Sequence, residues 1–417
     1  MGMNETPSGE RVHISFFGRR NAGKSSLLNA VTGQKLAVVS DVRGTTTDPV
    51  QKSMELLPLG PVVMIDTPGI DDEGELGALR VEKSYQVLDK TDIAVLVVDA
   101  AEGIGGPEQR LLGELDERKL PFVIAWNKSD GMAKRPDFEA PRLKACAEDG
   151  RLLFVSARTG DGIGELKECL AALYRKSEAG REEKRLVGDL ISENDLIILV
   201  IPIDKAAPKG RLILPQQQMI RDILESGAQA LCVRDTELAE TLSRLERLEK
   251  KPRLVITDSQ VFGKVGAIVP ADIPLTSFSI LFARYKGILE LFVRGLAALK
   301  DIEDGDRILI SEGCTHHRQC GDIGTVKLPR FIRTFTGKEP EFIFSSGTEF
   351  ADGETLSSCR LIVHCGACML NEAEMHSRMR RAEELSVPMT NYGLLIAYTQ
   401  GILKRSVEIF PDIAALL

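Results

Sequence analysis

The amino-acid sequence predicts an α/β protein whose three successive domains each hold a parallel sheet. Short apolar runs, typical of buried strands, alternate with helical segments through much of the chain. A Gly-x-x-x-x-Gly-Lys-Ser pattern follows the first apolar run, and a stretch rich in Lys, Arg and Glu at 173–185 separates it from a second alternating region. The 417 residues suit about two to four domains, and we place them at 1–178, 186–271 and 272–417.

Charge and composition exclude several classes of protein. A formal net charge of -8 and a pI near 5.5 argue against a broad nucleic-acid footprint. The first residues lack the pattern of a signal peptide, and no apolar run approaches the roughly 18 residues that span a membrane. The eight cysteines are sparse, as in reducing compartments. We therefore expect a cytoplasmic protein without membrane or nucleic-acid partners.

The first domain opens with a phosphate-binding motif in its proper structural context. Residues 12–17 predict a buried strand and 26–31 a helix, and the phosphate-loop pattern at 18–25 joins them. Glycines let successive backbone N–H groups converge on phosphates, and the helix N-terminus adds its dipole. We expect Lys24 to contact the β- and γ-phosphates and the Ser25 hydroxyl to bind Mg²⁺. The expected phosphate-binding residues are Gly18, Asn21, Ala22, Gly23, Lys24, Ser25 and Ser26.

Two further segments predict which base is bound. Asn127, Lys128 and Asp130 form an Asn-Lys-x-Asp pattern directly after an apolar run. A carboxylate at Asp130 can accept two hydrogen bonds from guanine N1–H and the 2-amino group, a donor pair that adenine lacks. Ser156 and Ala157 follow the next apolar run and fit the loop that contacts the guanine oxygen. The sequence therefore predicts GTP and GDP as ligands of a P-loop GTPase domain.

Two polar segments predict the parts that sense the γ-phosphate. An Asp66-Thr-Pro-Gly69 segment follows an apolar run, and residues 41–48 suit a flexible switch loop. We expect Asp66 to hold Mg²⁺ through water, the Gly69 N–H to sense the γ-phosphate and Thr46 to supply the second Mg²⁺ hydroxyl. The expected catalytic residues for GTP hydrolysis are Lys24, Thr46, Asp66 and Gly69.

The order of these motifs and the Gly-Thr-Thr-x-Asp switch resemble the Era and TrmE group of translation-factor-related GTPases. Several members of that group place a potassium-coordinating Asn where this chain has Asn21, so the resemblance implies K⁺ as a cofactor. The alternative is an ordinary loop-forming residue. Ile70 stands where Ras-like proteins carry a catalytic Gln, and an apolar side chain cannot orient the attacking water. We expect slow intrinsic hydrolysis, with K⁺ supplying the charge of an arginine finger.

The middle region alternates strands and helices without a phosphate loop or a metal motif. Apolar runs at 196–203, 228–233 and 253–257 predict strands, so we expect a small parallel sheet with right-handed crossovers. Such a sheet has exposed edges, which often pair between subunits. We therefore interpret residues 188–270 as an assembly domain, and Cys232 within it as an ordinary core thiol.

The last domain carries Cys and His residues with metal-ligand spacing. Cys314 and His316 follow one predicted strand, and His364, Cys365 and Cys368 follow another. Both groups thus fall at carboxyl ends of strands, where open α/β sheets bind ligands. Three sulfurs and two imidazoles suit a tetrahedral zinc site. They equally suit a 4Fe-4S cluster that leaves one iron to a weaker ligand, and buried thiols without metal are the third interpretation.

The surroundings of this motif are less specific. Patterns at 288–300, 371–384 and 391–405 predict helices that cover the sheet. Three nearby residues match no motif and are interpreted as bystanders, with the first cysteine as the alternative ligand: Cys320, Cys359 and His317.

The whole chain, with its GTPase motifs, plain middle domain and Cys-x-His…His-Cys-x-x-Cys constellation, resembles the FeFe-hydrogenase maturation GTPases, the HydF family. The resemblance implies a 4Fe-4S cluster on Cys314, Cys365 and Cys368, with a labile fourth iron site near His316 or His364. It implies a scaffold or carrier that receives a di-iron precursor assembled with radical-SAM maturases and delivers it to apo FeFe-hydrogenase. It also implies a dimerisation module in the middle domain, and hence a homodimer.

Two alternatives remain open from the sequence. One is an RNA-modification or ribosome-assembly GTPase, by analogy with the Era and TrmE group, which the acidic charge balance disfavours. The other is a GTPase whose metal is a structural zinc ion, and it predicts a colourless protein.

Overall fold

The structure is a computed structural model of the chain and describes residues 8–34, 48–72, 74–134, 136–179, 184–203, 212–313, 322–347 and 350–417. These residues form two compact units. The first unit consists of described residues from two ranges, Met1–Arg181 and Asn371–Ser377. The second consists of described residues from Glu182–Leu370 and Arg378–Leu417. None of the described helices is long and apolar enough to cross a membrane.

The first unit is a six-stranded sheet with the order β2-β3-β1-β4-β5-β6, in which only β2 runs antiparallel to its neighbour. Its strands are β1 Val12–Phe17, β2 Val50–Leu56, β3 Gly60–Asp66, β4 Ile93–Asp99, β5 Phe122–Asn127 and β6 Leu152–Phe154. Its helices are α1 Lys24–Thr32, α2 Glu75–Val87, α3 Gly106–Glu117, α4 Pro141–Glu148 and α5 Ile163–Glu178.

Apolar cores cover both faces of this sheet. Side chains of β1 alternate between them, because successive residues of a strand point to opposite faces. Ile14 packs with Leu27 of α1 in one core, and Phe17 packs with Leu111 of α3 in the other. Because its parallel strands run in the same direction, their carboxyl ends lie together at one edge of the sheet. Open α/β sheets bind their ligands at that edge.

The second unit contains two four-stranded sheets, both entirely parallel. The first has the order β10-β9-β7-β8. Its strands are β7 Leu196–Val200, β8 Gln229–Val233, β9 Leu254–Thr257 and β10 Leu275–Ser277, and its helices are α6 Leu214–Glu225, α7 Leu238–Arg247, α8 Phe262–Ile268 and α9 Phe278–Tyr285. Strand β10, which follows the domain boundary predicted at residue 271, pairs with β9, which precedes it. The boundary itself stays a prediction from the sequence.

One side chain from the end of the chain reaches back to this sheet. Arg405 donates hydrogen bonds to the carbonyl oxygens of Gly266 at 3.0 Å, in the last turn of α8, and of Val269 at 2.9 Å and Pro270 at 2.6 Å, the two residues after it. These carbonyls end a helix and have no partner within it, and a guanidinium suits such orphan acceptors. The C-terminal region thus caps a helix of the middle sheet.

The second sheet of this unit has the order β12-β11-β13-β14. Its strands are β11 Arg307–Glu312, β12 Glu341–Ser346, β13 Cys359–His364 and β14 Met389–Asn391. The remaining helices of the chain are α10 Leu289–Gly295, α11 Leu328–Thr336, α12 Gly353–Ser357, α13 Glu372–Glu384, α14 Tyr392–Thr399, α15 Leu403–Val407 and α16 Pro411–Ala414. The predicted α/β class with parallel sheets is confirmed.

Three details differ from the sequence-based expectations. Cys232 is exposed rather than in a core, because β8 is an edge strand. The helix expected at 391–405 is two helices, since Gly401 adopts a left-handed φ of 73°. The helix expected at 288–300 ends at Gly295, where a Cβ would lie 2.0 Å from the Met389 carbonyl oxygen, and a 3-10 helix continues it.

Candidate functional site

The phosphate loop lies between β1 and α1, as its sequence predicts. Gly23 has a φ of 89°, and a Cβ there would lie 2.3 Å from Asn127 Nδ2, so only glycine fits without strain. Asn21 also has a left-handed φ of 60°, and its side chain is exposed. Ser26 lies in the first turn of α1. The loop therefore has the backbone form that anion binding requires.

Lys24 lies inside this loop. Its Nζ donates to the carbonyl oxygens of Gly18 at 2.9 Å and Arg19 at 2.8 Å, and the side chain is buried. Burial lowers the pKa of Lys24, while the Asp66 carboxylate opposes that shift. The two carbonyl oxygens thus hold a poorly solvated positive charge within the loop, where a bound phosphate would supply the opposite charge.

Ser25 and Asp66 form the expected magnesium pair. The Ser25 hydroxyl donates to Asp66 Oδ2 at 2.5 Å. Asp66 Oδ1 is buried and has no hydrogen-bond partner within the described part of the chain, and burial raises the pKa of this carboxyl. An orphaned buried carboxylate oxygen beside a hydroxyl fits a hard, oxygen-preferring cation such as Mg²⁺. Thr46, the second expected hydroxyl, lies outside the described residues.

Asn127 joins the phosphate loop to the predicted base-binding loop. Its Nδ2 donates to the Ala22 carbonyl oxygen at 2.9 Å, and its Oδ1 accepts from the Ala157 N–H at 3.1 Å. The Ser156 hydroxyl donates to Asp130 Oδ1 at 2.7 Å. The structure thus brings the expected guanine-binding residues together on one edge.

Lys128 takes a different partner from the others. It has a left-handed φ of 64°, and its Nζ pairs with Asp99 Oδ2 at 2.6 Å, at the end of β4. The β4 and β5 ends are thereby tied to each other beside the base-binding loop.

The segment after Asp66 packs closely on the phosphate loop. A Cβ at Gly69 would lie 2.6 Å from Arg20 Cγ, and the Arg20 N–H donates to Asp71 Oδ1 at 2.7 Å. Ile70 is only 3% exposed. A buried apolar side chain at this position cannot hold a water molecule, as the sequence indicates.

Sequence reasoning missed the ion pairs of the loop arginines. Arg19 pairs with the buried Glu108 of α3, Nε to Oε1 at 2.7 Å, and Arg20 Nε pairs with Asp72 Oδ1 at 2.8 Å. The available signal was the adjacent Arg-Arg pair inside the loop and the Asp-Asp pair just after Ile70. These contacts tie the loop to two neighbouring segments.

The second candidate site lies at the carboxyl end of β13, an interior strand of the last sheet. Cys365 Sγ accepts hydrogen bonds from the Gly313 N–H at 3.1 Å and the Ala367 N–H at 3.4 Å. Such bonds favour the thiolate, although burial as the larger effect raises the Cys365 pKa. Ala367 has a left-handed φ of 53°, which turns the chain toward Cys368.

Cys368 shares this environment. Burial, and after it the neighbouring Cys365 thiolate, raise the pKa of Cys368 to about 11, while Lys286 opposes the shift. Cys314 and His316, the other half of the motif, lie outside the described residues, as do His317 and Cys320. Within the ranges that the structure describes, no three His, Cys, Asp or Glu side chains converge as a metal site.

His364 is fully buried beside these thiols, and both of its ring nitrogens have partners. Nδ1 lies 3.0 Å from the Cys365 carbonyl oxygen, and Nε2 lies 3.0 Å from Arg378 Nη1. A guanidinium only donates, so Nε2 is the acceptor and Nδ1 carries the proton. Burial and the Arg378 charge lower the pKa of His364 to about 3. As a metal ligand, His364 would have to release one of these partners.

Cys359 is separated from the other two cysteines by the length of β13. Six residues of strand place it about 20 Å from Cys365, and its Sγ donates to the Thr355 carbonyl oxygen at 3.2 Å. It therefore cannot bind the same metal, which agrees with its interpretation as a bystander.

Comparison with protein families decides the relationship of the chain. The family model of the Hydrogen maturase F dimerization domain matches residues 186–287, and that of the Hydrogen maturase F tetramerization domain matches residues 290–409. The chain belongs to the hydrogen maturase F family. The model of 50S ribosome-binding GTPases matches residues 13–128, so the first unit of this hydrogen maturase F chain is a GTPase domain.

Relatives and solved structures resemble mainly this first domain. The tRNA modification GTPase MnmE of Acetivibrio thermocellus is 28% identical over 198 residues, 47% of this chain and 42% of that protein. GTPase Der of Nautilia profundicola is 37% identical over 175 residues, 39% of this chain and 37% of that protein. The chain thus spans about two fifths of these relatives' length. The structure of Aquifex aeolicus Era bound to GDP·AlF4⁻ has a TM-score of 0.35 and 17% identity, covering 53% of this chain and 92% of that one.

Proposed function

We propose that the chain is a GTP-hydrolysing scaffold that binds a 4Fe-4S cluster and a di-iron precursor and delivers the precursor to apo FeFe-hydrogenase. One observation carries the proposal. Two thiols, Cys365 and Cys368, stand at the carboxyl end of an interior strand, inside the region that matches the hydrogen maturase F family. Radical-SAM maturases are the proposed source of the precursor, and their involvement rests on the family alone.

We assign GTP hydrolysis to the first unit. Asp130 accepts the guanine N–H donors, Lys24 places its ammonium on the β- and γ-phosphates, and the Gly69 N–H contacts the γ-phosphate. Mg²⁺, held by Ser25 and Asp66 with Thr46, would neutralise charge that develops on the phosphate oxygens. The orphaned Asp66 oxygen supports this assignment.

Hydrolysis is proposed to be slow without added positive charge. Ile70 is buried and cannot orient water, so the chain lacks the side chain that Ras-like proteins use there. The exposed Asn21 side chain at the loop is the proposed potassium ligand. K⁺ would supply charge near the β- and γ-phosphates.

The C-terminal domain is proposed to hold the cluster through Cys314, Cys365 and Cys368. Thiolates are the strong cluster ligands, and three of them leave one iron for an exchangeable ligand that can bridge to cargo. His316 and His364 are the proposed candidates. The Arg378 and Cys365 contacts of His364 favour His316 for this role, because His364 is already satisfied in the sheet.

The assembly is proposed to be a homodimer formed through the middle domain. Its edge strand β8 is partly exposed along its length, and the matching family model is named a dimerization domain. The edge strand β12 of the last sheet is likewise exposed. The model named for tetramerization covers it, which supports pairing of dimers through this second edge.

A ribosome- or tRNA-directed function is the alternative from another class. It rests on the GTPase domain alone, which is the part shared with MnmE and Der. The net charge of -8 disfavours a nucleic-acid partner. Co-purification of RNA that survives high salt would favour this alternative.

The decisive experiment is anaerobic purification followed by iron, sulfide and zinc analysis and EPR of the reduced protein. We expect iron and sulfide in near-equal amounts, and loss of the cluster in Cys365→Ser and Cys368→Ser. Cys359→Ser is the matched control, because Cys359 is a buried cysteine at the start of β13, whereas Cys365 and Cys368 follow the end of that strand. Stoichiometric zinc without an EPR signal would refute the cluster and support a structural zinc site.

The carrier role needs its own test. Lys24→Ala should lose GTP hydrolysis, keep its iron content and mature apo FeFe-hydrogenase poorly. Added imidazole or cyanide should perturb the EPR spectrum of wild-type protein, because one iron is exchangeable. A spectrum indifferent to both ligands, becoming sensitive in Cys320→Ser, would instead indicate a closed four-cysteine cluster.

A further inference from the structure

A lysine of the middle domain reaches the turn that carries the two described cysteines. Lys286 follows helix α9 and lies within the region matched by the dimerization-domain model. Its Nζ donates to the carbonyl oxygens of Ala367 at 2.5 Å and Leu370 at 2.6 Å, and the residue is 6% exposed. Lys286 and the turn belong to the same compact unit.

These two contacts hold the chain at Ala367 and at Leu370, on either side of Cys368. The Ala367 carbonyl oxygen also accepts from the Leu370 N–H at 3.2 Å, and the Ala367 N–H donates to Cys365 Sγ. Because Ala367 has a left-handed φ of 53°, its backbone conformation is one that non-glycine residues rarely adopt unaided. The ammonium therefore stabilises a strained peptide whose N–H contacts a metal-binding sulfur.

The charge of Lys286 has a separate consequence. A buried ammonium is costly unless hydrogen bonds satisfy it, and the carbonyl oxygens of Ala367 and Leu370 accept two of its hydrogen bonds. Thiolates bound to a metal bring negative charge to the same place. Lys286 contacts the carbonyl oxygen of Ala367, the residue before Cys368, and Arg378 contacts His364, the residue before Cys365. Glu312, at the end of β11, is the negatively charged group nearby. The buried ammonium is thus matched to a site that becomes negative when it is loaded.

We propose that Lys286, a residue of the middle domain, positions the Cys365–Cys368 turn for its metal and supplies positive charge beside its thiolates. The inference rests on the proposed metal-binding function of this turn. It makes Lys286 a positioning residue rather than a ligand. It also makes the metal site depend on both domains of the second unit.

Three substitutions separate position from charge. Lys286→Met removes both, Lys286→Gln keeps a hydrogen-bond donor without charge, and Lys286→Arg keeps the charge. The matched control is Lys264→Met, which removes a half-exposed lysine that pairs with Asp235 on the same domain. All measurements use the full-length chain.

Position is read from apo-protein by hydrogen–deuterium exchange of amides 366–370 and by Zn²⁺ affinity in competition with a chromophoric chelator. In Lys286→Met we expect amides 366–370 to exchange about 10-fold faster and the Zn²⁺ affinity to fall about 10-fold. This is the scale of a lost hydrogen bond to a charged group. Lys286→Gln should recover much of the exchange protection. Exchange and affinity equal to those of Lys264→Met would overturn the positioning role.

Charge is read from the reduction potential of the reconstituted cluster. Reduction adds negative charge, so Lys286→Met and Lys286→Gln should both shift the potential to more negative values, and Lys286→Arg should not. Equal potentials in all variants would overturn the charge role. If wild-type protein takes up no cluster, the proposed function fails, while the apo-protein measurements still decide whether Lys286 positions the turn.

Discussion

Replacement of Asn127 by alanine should destabilise the first unit in the absence of nucleotide. The side chain is 1% exposed and makes two buried hydrogen bonds, to the Ala22 carbonyl oxygen and from the Ala157 N–H. Alanine leaves both backbone groups without the partner that Asn127 supplies. Each unsatisfied buried group costs about 1–3 kcal/mol, so we expect the free energy of unfolding to fall by about 2–6 kcal/mol.

The chain provides its own reporter for this measurement. Trp126 is the only tryptophan of the sequence. It is buried beside Asn127, with its ring 5.1 Å from that of Phe138. Its fluorescence in a urea titration therefore follows unfolding of the first unit alone, even in the full-length chain. Asn127→Ala should unfold at a clearly lower urea concentration with little change in the slope of the transition.

The control is Gln109→Ala, which removes an amide from the exposed face of α3. We expect it to change the free energy of unfolding by no more than about 0.5 kcal/mol. If Asn127→Ala unfolded at the same urea concentration as this control, the coupling of the phosphate loop to the base-binding loop through Asn127 would be refuted.

Three further predictions follow from the same structure. Asp130→Asn should weaken GTP binding at least 10-fold, because it removes the carboxylate that accepts two hydrogen bonds from guanine. If wild-type protein bound ATP as tightly as GTP in a competition titration, the assignment of Asp130 to the base would be wrong. GTP hydrolysis should speed up when K⁺ replaces Na⁺ at constant ionic strength and Asn21→Ala should flatten the response, whereas equal wild-type rates in the two salts would exclude potassium activation. Gly295→Ala places a Cβ 2.0 Å from the Met389 carbonyl oxygen and should cost about 1–3 kcal/mol of stability, measured by circular dichroism against Gly353→Ala, which meets no atom within 4 Å.

The motif-bearing strands of the first domain could be predicted from the sequence, whereas β2, β4 and helices α2 to α4 were not predicted. Its motifs have fixed spacing, and each follows an apolar run that is long enough to be a strand, so β1 was predicted with its observed bounds. Helix ends in the last domain were harder to predict. Gly295, the last residue of α10, lies against Met389, a residue far along the chain, and no local pattern reveals such a contact.

The candidate site around Cys365 and Cys368 shows the same limit. The spacing of Cys365 and Cys368 identified the thiols, and strand β13 ends beside them as expected. The sequence could not show that His364 is held by Arg378 or that Lys286 caps the turn, because these partners lie 14 and more than 80 positions away. Arg378 lies on α13 and Lys286 follows α9, so these side chains reach the strand end only through the packing of helices on the sheet.

The hydrogen bonds of Arg405 to the carbonyl oxygens at the C-terminal end of α8 bear on how the protein can be divided into fragments. The two family models meet near residue 288, which invites expression of the middle domain alone. A fragment cut there would lose the guanidinium that binds Gly266, Val269 and Pro270. A C-terminal truncation before residue 405 would remove it as well. A fragment that runs from Glu182 to Leu417 would keep Arg405 together with these carbonyl oxygens.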